Sequence, residues 1–346
     1  MEKPKNHQEP GIKPLIGIIA NSTSPSNRLE LIAELGEPQD GVFGPLKFSY
    51  QDFRGEIIPL DIQPNEILEK SGMIKGRQAM LRAVAYLASQ GAKVICFTAS
   101  TKRLPGRTGQ EVRELYPDIT FSIGDNLTNV SYLMMIDYFL GNGILDKEND
   151  ELVVMGAGFL GMQTAEFLLA KNCRRITMIS EHSLPPEFSK KINLINSWQF
   201  MPSNIKLFFS CSHKNHLEPE DFASYFAADS VILDVAVPPG ISRAVYDALP
   251  DGASRWDVGD FFLEDLSYQF PPAILSFPRV GFWYGCFTEA VILSKAQVAG
   301  ENLQDFNFFE INPEAQIMLR GYLEQEQVSL PLINFYQPES LKLIPF

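Results

Sequence analysis

The chain has 346 residues, of which 45% are hydrophobic and 21% are charged, and its formal net charge is −13. This length predicts two domains, and the apolar fraction is large enough to form their cores without disulfides. A negative field of this size repels phosphates, so we expect no general binding of nucleic acid or of anionic membranes. One basic cluster departs from that field, and its members are Lys102, Arg103, Arg107 and Arg113.

The first 145 residues are predicted to form an α/β domain that binds the substrate. Apolar runs at 15–20 and 92–97 predict strands, and helices are predicted at about 77–90 and 126–140. The polar segment 1–14 is unlike a secretion signal, no apolar run reaches about 18 residues, and the four cysteines form no CxxC pair. We therefore expect a cytoplasmic protein without a membrane span.

A second domain, predicted at 146–282, opens with a glycine motif. An apolar strand runs into V-V-M-G-A-G-F-L-G at 153–161, and a helix-forming stretch follows at 162–171. In G-x-G-x-x-G the first glycine permits a tight turn, the second lets the backbone approach a pyrophosphate, and the third lets helix and strand pack closely. The motif predicts a dinucleotide site, and its cofactor contacts are Gly156, Gly158, Phe159, Leu160 and Gly161.

The strands that follow predict a doubly wound parallel sheet of the Rossmann type. A strand at 175–180 ends at Glu181, about 20 residues beyond the last glycine, where a carboxylate is expected to bind the cofactor ribose. Strands at 205–210 and 231–237 continue the alternation with helices. Further predicted cofactor contacts are Ala236, Val237 and Gly259. The alternative is a doubly wound domain that kept its glycines and lost its ligand.

Residues 283–346 are predicted to form a helical segment that packs back on the first domain, with helices at about 283–299 and 313–326. Cys286 lies at the start of the first of these helices, among aromatic residues that suit an acyl chain. A thiolate there could attack an acyl thioester, and the helix N-terminus is expected to lower the pKa of the thiol. The alternative is a buried, inert cysteine.

Several short motifs occur in the order found in the aldehyde-forming long-chain acyl-[acyl-carrier-protein] reductases. W-Y-G-C-F-T-E-A at 283–290 resembles the A-C-F-A-E-A segment that carries their nucleophilic cysteine. C-F-T-A-S at 96–100 and G-D-N-L-T-N at 124–129 resemble their G-F-T-S and G-N-T-x-T, and N-F-F at 307–309 and F-Y-Q-P at 335–338 resemble their N-F-S and G-F-Q-P. L-D-V-A-V-P at 233–238 is similar to a strand end of the glutamyl-tRNA reductases, which share this domain arrangement with the shikimate dehydrogenases.

The resemblance implies NADPH-dependent reduction of a fatty acyl thioester to an aldehyde through a Cys286 acyl-enzyme. The acyl group would arrive on acyl-carrier protein or coenzyme A, and an aldehyde-consuming enzyme would be a further partner. The carboxylate of Glu181 conflicts with this cofactor, because it favours NADH and repels the 2′-phosphate of NADPH, so both cofactors stay open. Predicted substrate contacts are Thr98, Ser100, Asn126 and Thr128. Thr98 and Ser100, which follow the strand predicted at 92–97, could equally cap the next turn.

Rival chemistries find less support in the sequence. Cys96 is a second candidate nucleophile, but its apolar strand is typical of a core cysteine. The C-x-H-x-x-H segment at 211–216 has no evident fourth ligand, so we expect no metal site. The Lys–Asp pair of shikimate dehydrogenases matches no motif, and Lys102, the nearest lysine, is expected to be solvated. Two further functions stay open: a nicotinamide-dependent dehydrogenase of a small hydroxy or keto acid with a structural Cys286, and a non-catalytic dinucleotide-binding protein.

Overall fold

Two β-sheets covered by helices form the molecule, and the computed structural model describes residues 15–211, 223–236, 239–326 and 328–345. Strands and helices alternate along most of the chain, so the fold is mixed α/β as the sequence predicts. Short 3₁₀ turns lie at Ala99–Arg103, Trp198–Phe200, Ala223–Tyr225, Pro272–Leu275 and Leu303–Asp305.

The first sheet has six strands, mostly from the N-terminal part of the chain. They are β1 (Leu15–Asn21), β2 (Leu46–Tyr50), β3 (Phe53–Leu60), β4 (Ala92–Phe97), β5 (Thr120–Ser122) and β13 (Leu266–Tyr268). Their order is β13-β2-β3-β1-β4-β5, with β3, β1, β4 and β5 parallel and β2 antiparallel to both neighbours. The sequence did not predict the β2–β3 hairpin or the contribution of β13 from far downstream.

Five helices accompany the first sheet. They are α1 (Pro25–Leu35), α2 (Pro64–Ile67), α3 (Lys70–Ser89), α4 (Gln110–Leu115) and α5 (Asp125–Gly141). The buried residues of α3 recur at spacings of three and four and pack on β1, β3 and β4, which is the amphipathic pattern of a helix on a sheet. The predicted strands and helices of this part are therefore confirmed, and α3 begins seven residues earlier than expected.

The second sheet has ten strands. They are β6 (Glu151–Met155), β7 (Arg175–Ile179), β8 (Asn193–Ile195), β9 (Ile205–Ser210), β10 (Phe226–Asp234), β11 (Ser254–Asp257), β12 (Asp260–Leu263), β14 (Phe282–Tyr284), β15 (Val328–Asn334) and β16 (Gln337–Pro345). The helices of this part are α6 (Phe159–Ala170), α7 (Pro186–Ser189), α8 (Arg243–Asp247), α9 (Gly285–Val298) and α10 (Pro313–Leu323).

Six strands of this sheet are parallel, in the order β8-β7-β6-β9-β10-β11. This is the order of the doubly wound dinucleotide-binding fold, in which the chain direction across the sheet reverses between the first and fourth strands. Here that switch point lies between β6 and β9. The fold class expected from the sequence is confirmed.

The C-terminal part departs from the prediction of a helical segment. α9 and α10 are helices, and α9 packs on α5 and β4 of the first part as expected. Residues 328–345, however, form the antiparallel hairpin β15–β16, which joins β11 to β12 within the second sheet. The apolar run 328–333 is buried nearly throughout, and such a run does not by itself distinguish strand from helix. The proposed domain boundaries at 145 and 282 stay predictions.

Candidate active site

The glycine motif forms the turn between β6 and α6, at the switch point of the parallel sheet. Gly156 has φ 109°, a conformation that side chains rarely adopt. A Cβ on Gly161 would lie 1.9 Å from the carbonyl oxygen of Gly156, so close packing requires glycine there. A Cβ on Gly158 would meet no protein atom within 4 Å. The unpaired N–H groups at the start of the 12-residue helix α6 therefore fit a phosphate group.

The other predicted cofactor residues of this region surround the turn. The Leu160 carbonyl accepts a hydrogen bond from the Tyr132 hydroxyl at 2.9 Å, which ties the turn to α5. Phe159 is 52% exposed. Glu181 is exposed in the loop after β7, two residues beyond the strand end.

Two of the remaining predicted cofactor contacts lie at later strand ends. The Ala236 N–H donates to the Asp234 carboxylate at 3.2 Å, just after β10. Gly259, with φ 94°, forms the turn between β11 and β12. Val237 lies outside the described residues.

Cys286 is the second residue of α9 and lies where the two parts of the molecule meet. A Cβ on Gly124 would lie 2.2 Å from the Cβ of Cys286, so the start of α5 approaches the cysteine as closely as glycine allows. The Gly285 N–H donates to the Gly259 carbonyl at 2.8 Å, and a Cβ on Gly285 would lie 2.8 Å from the Cα of Thr128. Three elements thus converge on the cysteine: α5, the β11–β12 turn and α9.

The expected lowering of the Cys286 pKa is wrong. Burial raises the pKa of this thiol to about 12, Lys102 opposes the rise, and Asp125 and Asp260 add to it. A hydrogen bond from the Ala99 backbone also favours the thiolate. The helix start is where the sequence places it, but the effect of burial on the pKa outweighs those of Lys102 and of the Ala99 backbone.

A lysine–carboxylate pair, missed by sequence reasoning, lies beside Cys286. The Lys102 Nζ is 3.0 Å from the Asp125 Oδ1, and the two side chains are 35% and 7% exposed. Burial acts to lower the pKa of Lys102, but Asp125 raises it above its usual value on balance. Lys102 is therefore not the solvated lysine that the sequence suggested. The two residues follow neighbouring parallel strands, β4 and β5, whose carboxyl ends share one edge of the sheet.

Two buried carboxyl groups, also missed, lie near the thiol. Glu289, one helical turn beyond Cys286, accepts the Leu127 N–H at 2.8 Å and is hydrogen-bonded to the Ser122 hydroxyl. Burial raises the pKa of Glu289 to about 7. Burial also raises the pKa of Asp260, at the start of β12, well above its usual value. Two sequence signals for Glu289 were available, its three-residue spacing from Cys286 and its match to the glutamate of A-C-F-A-E-A.

The four predicted substrate contacts divide into two pairs. Thr98 is fully buried, donates to the Ile19 carbonyl at 3.0 Å and caps the 3₁₀ turn after β4. Asn126 is fully buried and accepts the N–H of Asn312 at 2.8 Å. Ser100 and Thr128 are half-buried and border the cysteine region. Thr98 thus has the capping role left open by the sequence, whereas Ser100 and Thr128 are accessible enough to contact a ligand.

The rival cysteine and the metal hypothesis can also be located. Cys96 is fully buried in β4, and its Sγ donates to the main-chain oxygen of Cys286 at 3.1 Å. Cys211 donates to the Met155 carbonyl at 2.9 Å, whereas His213 and His216 lie outside the described residues. In the part of the chain that the structure describes, no group of three His, Cys, Asp or Glu residues could hold a metal ion. No helix in that part is both long and apolar enough to cross a membrane.

Comparison with known proteins gives a limited result. No protein-family model and no curated protein matches the chain. Shikimate dehydrogenase 1 from Peptoclostridium difficile is similar over 90% of this chain and 97% of its own, with 10% identity and a TM-score of 0.39. The NAD-dependent malic enzyme from Thermotoga maritima is similar over 90% of this chain and 84% of its own, with 12% identity and a TM-score of 0.36.

A third similar structure is the NAD-complexed D-isomer specific 2-hydroxyacid dehydrogenase from Lactobacillus delbrueckii ssp. bulgaricus. The similarity extends over 70% of this chain and 78% of that protein, with 12% identity and a TM-score of 0.29. Likenesses at this level say nothing about activity. The strand order of the chain itself is the evidence for its fold class. The resemblance to acyl-[acyl-carrier-protein] reductases stays a prediction.

Proposed function

We propose that this protein is a nicotinamide-dependent oxidoreductase that reduces a fatty acyl thioester to an aldehyde through an acyl-enzyme on Cys286. The observation that carries the proposal is the position of Cys286. It lies at a helix start, between the turn that follows a strand of the doubly wound sheet and the strand ends of the first sheet, with the Lys102 ammonium beside it. A redox cofactor and a covalent substrate could meet there.

Cys286 and Lys102 supply the protein groups that the proposed reaction needs. The Sγ of Cys286 forms a bond to the acyl carbon, the bond from that carbon to the carrier sulfur breaks, and the thiol proton leaves with the carrier thiol. When bound, a reduced nicotinamide supplies the hydride that the acyl carbon needs. The Cys286 bond to carbon then breaks, aldehyde leaves, and a proton from water restores the thiol. Lys102 stabilises the thiolate at both ends of this sequence, because its positive charge lowers the pKa of the thiol.

The carrier would meet the surface next to this lysine. Asp125 holds Lys102 in the site, so the basic cluster that remains at the surface consists of Arg103, Arg107 and Arg113, all exposed. Arg107 also lines a depression of 470 Å³ between α3 and α4. Positive charge on a chain with a net charge of −13 suits the phosphates of coenzyme A or the acidic surface of a carrier protein.

The choice between NADPH and NADH turns on Glu181. Its exposed carboxylate after β7 supports NADH, whereas the resemblance supports NADPH. If Glu181 faces the ribose, Glu181→Ser should shift the ratio of the two dissociation constants toward NADPH by about tenfold, because a repulsive charge is removed. Titration with each cofactor measures this ratio. An unchanged ratio means that the carboxylate points away from the ribose.

Mass spectrometry of the intact protein tests the central step. Incubated with acyl-coenzyme A and no cofactor, the wild type should gain the acyl mass on Cys286, and NAD(P)H should discharge it as aldehyde. Cys286→Ala should show neither event, whereas Cys173→Ala, which removes a buried cysteine between α6 and β7, should show both. Acyl mass on Cys96, or thioester reduction without Cys286, would contradict the proposed mechanism.

One observation favours a second function, the dehydrogenation of a small hydroxy or keto acid. The half-buried Lys102–Asp125 pair could exchange a proton with a hydroxyl or carbonyl group without any covalent intermediate. In that case alkylation of Cys286 should leave hydride transfer to a keto acid largely intact, and no acyl mass should appear. The same reagent should abolish thioester reduction if the first proposal is right.

A further inference from the structure

A fully buried arginine, Arg255 on β11, joins two strand ends of the second sheet. Its guanidinium donates to Asp234, which ends β10, at 2.9 Å. It also donates to Asp257, which ends β11, at 2.6 and 2.8 Å. Both carboxylates are buried. Apolar residues in place of a buried ion cluster of this kind often give a fold of similar stability. Stability alone therefore does not explain why the cluster lies at these strand ends.

Each carboxylate also organises a loop at the crevice edge of the sheet. Asp234 accepts the N–H groups of Ala236, Gly240 and Ile241 at 3.2, 3.1 and 2.9 Å, and thereby holds the described residues of the loop after β10, which are 235–236 and 239–242. Asp257 directly precedes the turn that contains Gly259. Arg255 therefore fixes the loop after β10 and the β11–β12 turn relative to one another.

The turn of the C-terminal hairpin holds the same two loops from the other side. This hairpin tip consists of residues 334–336. Asn334 accepts from Arg255 at 3.3 Å, and the N–H of residue 335 donates to Asp257 at 2.7 Å. The Tyr336 hydroxyl donates to the Ile241 carbonyl at 2.6 Å, and its ring centroid is 4.6 Å from the Arg255 guanidinium carbon.

Contacts of these two loops lead to Gly285, the residue before Cys286. A Cβ on Gly259 would lie 2.9 Å from the Val235 side chain and 3.1 Å from the Thr128 side chain. The Gly259 carbonyl accepts the Gly285 N–H at 2.8 Å, and Gly285 precedes the cysteine. The network from the hairpin tip to the start of α9 is thus continuous through hydrogen bonds and side-chain packing.

We infer that Arg255 and the hairpin tip are positioning elements for hydride transfer. They set the loop after β10, where the nicotinamide end of a dinucleotide would lie at the crevice of the sheet, against the helix that carries Cys286. This inference rests on the proposed function. Removal of Arg255 would leave two buried carboxylates without their partner and endanger folding, so Tyr336→Phe is the variant of choice. It removes one hydroxyl and keeps the ring that stacks on Arg255.

The experiment compares whole cofactors with analogues that lack only the nicotinamide ring. Tyr336→Phe should weaken the binding of NADH and NADPH by roughly five- to tenfold. The binding of ADP-ribose and of its 2′-phosphate, which lack the nicotinamide, should change less than about twofold, because the glycine turn is untouched. Tyr322→Phe, which removes an exposed tyrosine hydroxyl bonded to Glu301, is the matched control and should leave all four affinities unchanged.

A second readout separates the two halves of the reaction. In Tyr336→Phe, acylation of Cys286 by acyl-coenzyme A should proceed at the wild-type rate, whereas discharge of the acyl-enzyme by NAD(P)H should slow by about tenfold or more. Equal weakening of ADP-ribose and whole cofactor, or the same effect in Tyr322→Phe, would overturn the inference. Selective weakening of whole cofactor in a protein that never acylates would support the positioning role and reject the thioester chemistry. A wild type that binds no dinucleotide would reject both.

Discussion

Two helices of this protein, α6 and α9, follow strands of the second sheet, and their N-termini differ in what surrounds them. At the start of α6, a side chain on Gly158 would meet no protein atom, and the next residue is half exposed. At the start of α9, Gly285 is packed against Thr128 and Gly259, and Cys286 against Gly124. The first N–H of α9, that of Gly285, is also bonded to the Gly259 carbonyl at 2.8 Å. The first helix start therefore has space for an anion, whereas at the second the surrounding atoms raise the pKa of the thiol to about 12 by burial.

The comparison shows that a helix N-terminus does not determine the chemistry of a site. At α6 the backbone groups suffice to bind a phosphate. At α9 the thiol is neutral at rest, and its activation depends on the charges nearby, of which Lys102 favours the thiolate and Asp125 opposes it. Changes at the two helix starts should therefore have different signatures.

The largest effect is expected at the glycine turn of α6. Gly158→Val should weaken dinucleotide binding by roughly 100-fold, about 2.8 kcal/mol, while the melting temperature stays near that of the wild type, because a Cβ here has no protein atom within 4 Å. Gly161→Val, in contrast, should destabilise the fold. Its Cβ would lie 1.9 Å from the Gly156 carbonyl, so unfolding should be easier by roughly 1–3 kcal/mol or more.

Calorimetry and cofactor titration on both variants check this contrast. Unchanged affinity in Gly158→Val would show that no pyrophosphate lies against this turn. A loss of stability in Gly158→Val as large as that in Gly161→Val would show that the two glycines do not differ in their surroundings.

A smaller effect is expected on the alkylation rate of Cys286, at the start of α9. The rate should change in opposite directions in two variants. Lys102→Met removes the charge that lowers the pKa of Cys286, so alkylation by iodoacetamide between pH 7 and 10 should slow by about tenfold at each pH. Asp125→Asn removes a charge that raises the same pKa and should speed alkylation. Below the pKa of about 12, the rate should rise with pH in all three proteins.

Arg103→Met, which removes an exposed charge next to Lys102, is the control and should alter the rate little. Equal shifts in Lys102→Met and Arg103→Met would indicate a general field effect. Rate changes of the same sign in Lys102→Met and Asp125→Asn would indicate that packing, and not charge, governs the thiol.

The glycine turn of α6 could be predicted from the sequence, whereas the surroundings of Cys286 in α9 could not. The glycine turn is encoded within nine consecutive residues, so its role in the fold and the position of the switch point were accessible without a structure. The Lys102–Asp125 pair spans 23 residues and depends on β4 and β5 being neighbours. The pKa of Cys286 depends on burial by three elements that are distant in sequence. The hairpin β15–β16 was missed because the resemblance suggested returning helices and a short apolar run fits either structure.

A change at Glu289, one turn into α9, should appear in the stability of the fold and not in cofactor binding or thiol reactivity. Burial raises the pKa of this carboxyl from 4.5 to about 7, so folding favours its protonated form. Its contribution to stability is full below about pH 4.5 and is lost as the pH rises through about 7, which amounts to roughly 3 kcal/mol. Glu289→Gln should remove this loss, since a Gln amide can donate to Ser122 and accept the Leu127 N–H as the neutral acid does. Urea denaturation at pH 5.5 and 8 measures it: the stability difference between the two pH values should shrink in Glu289→Gln but not in Glu34→Gln, an exposed glutamate on α1. A wild type whose pH dependence matches that of Glu289→Gln would mean that Glu289 stays charged in its pocket, with Ser122 and Leu127 compensating for its burial.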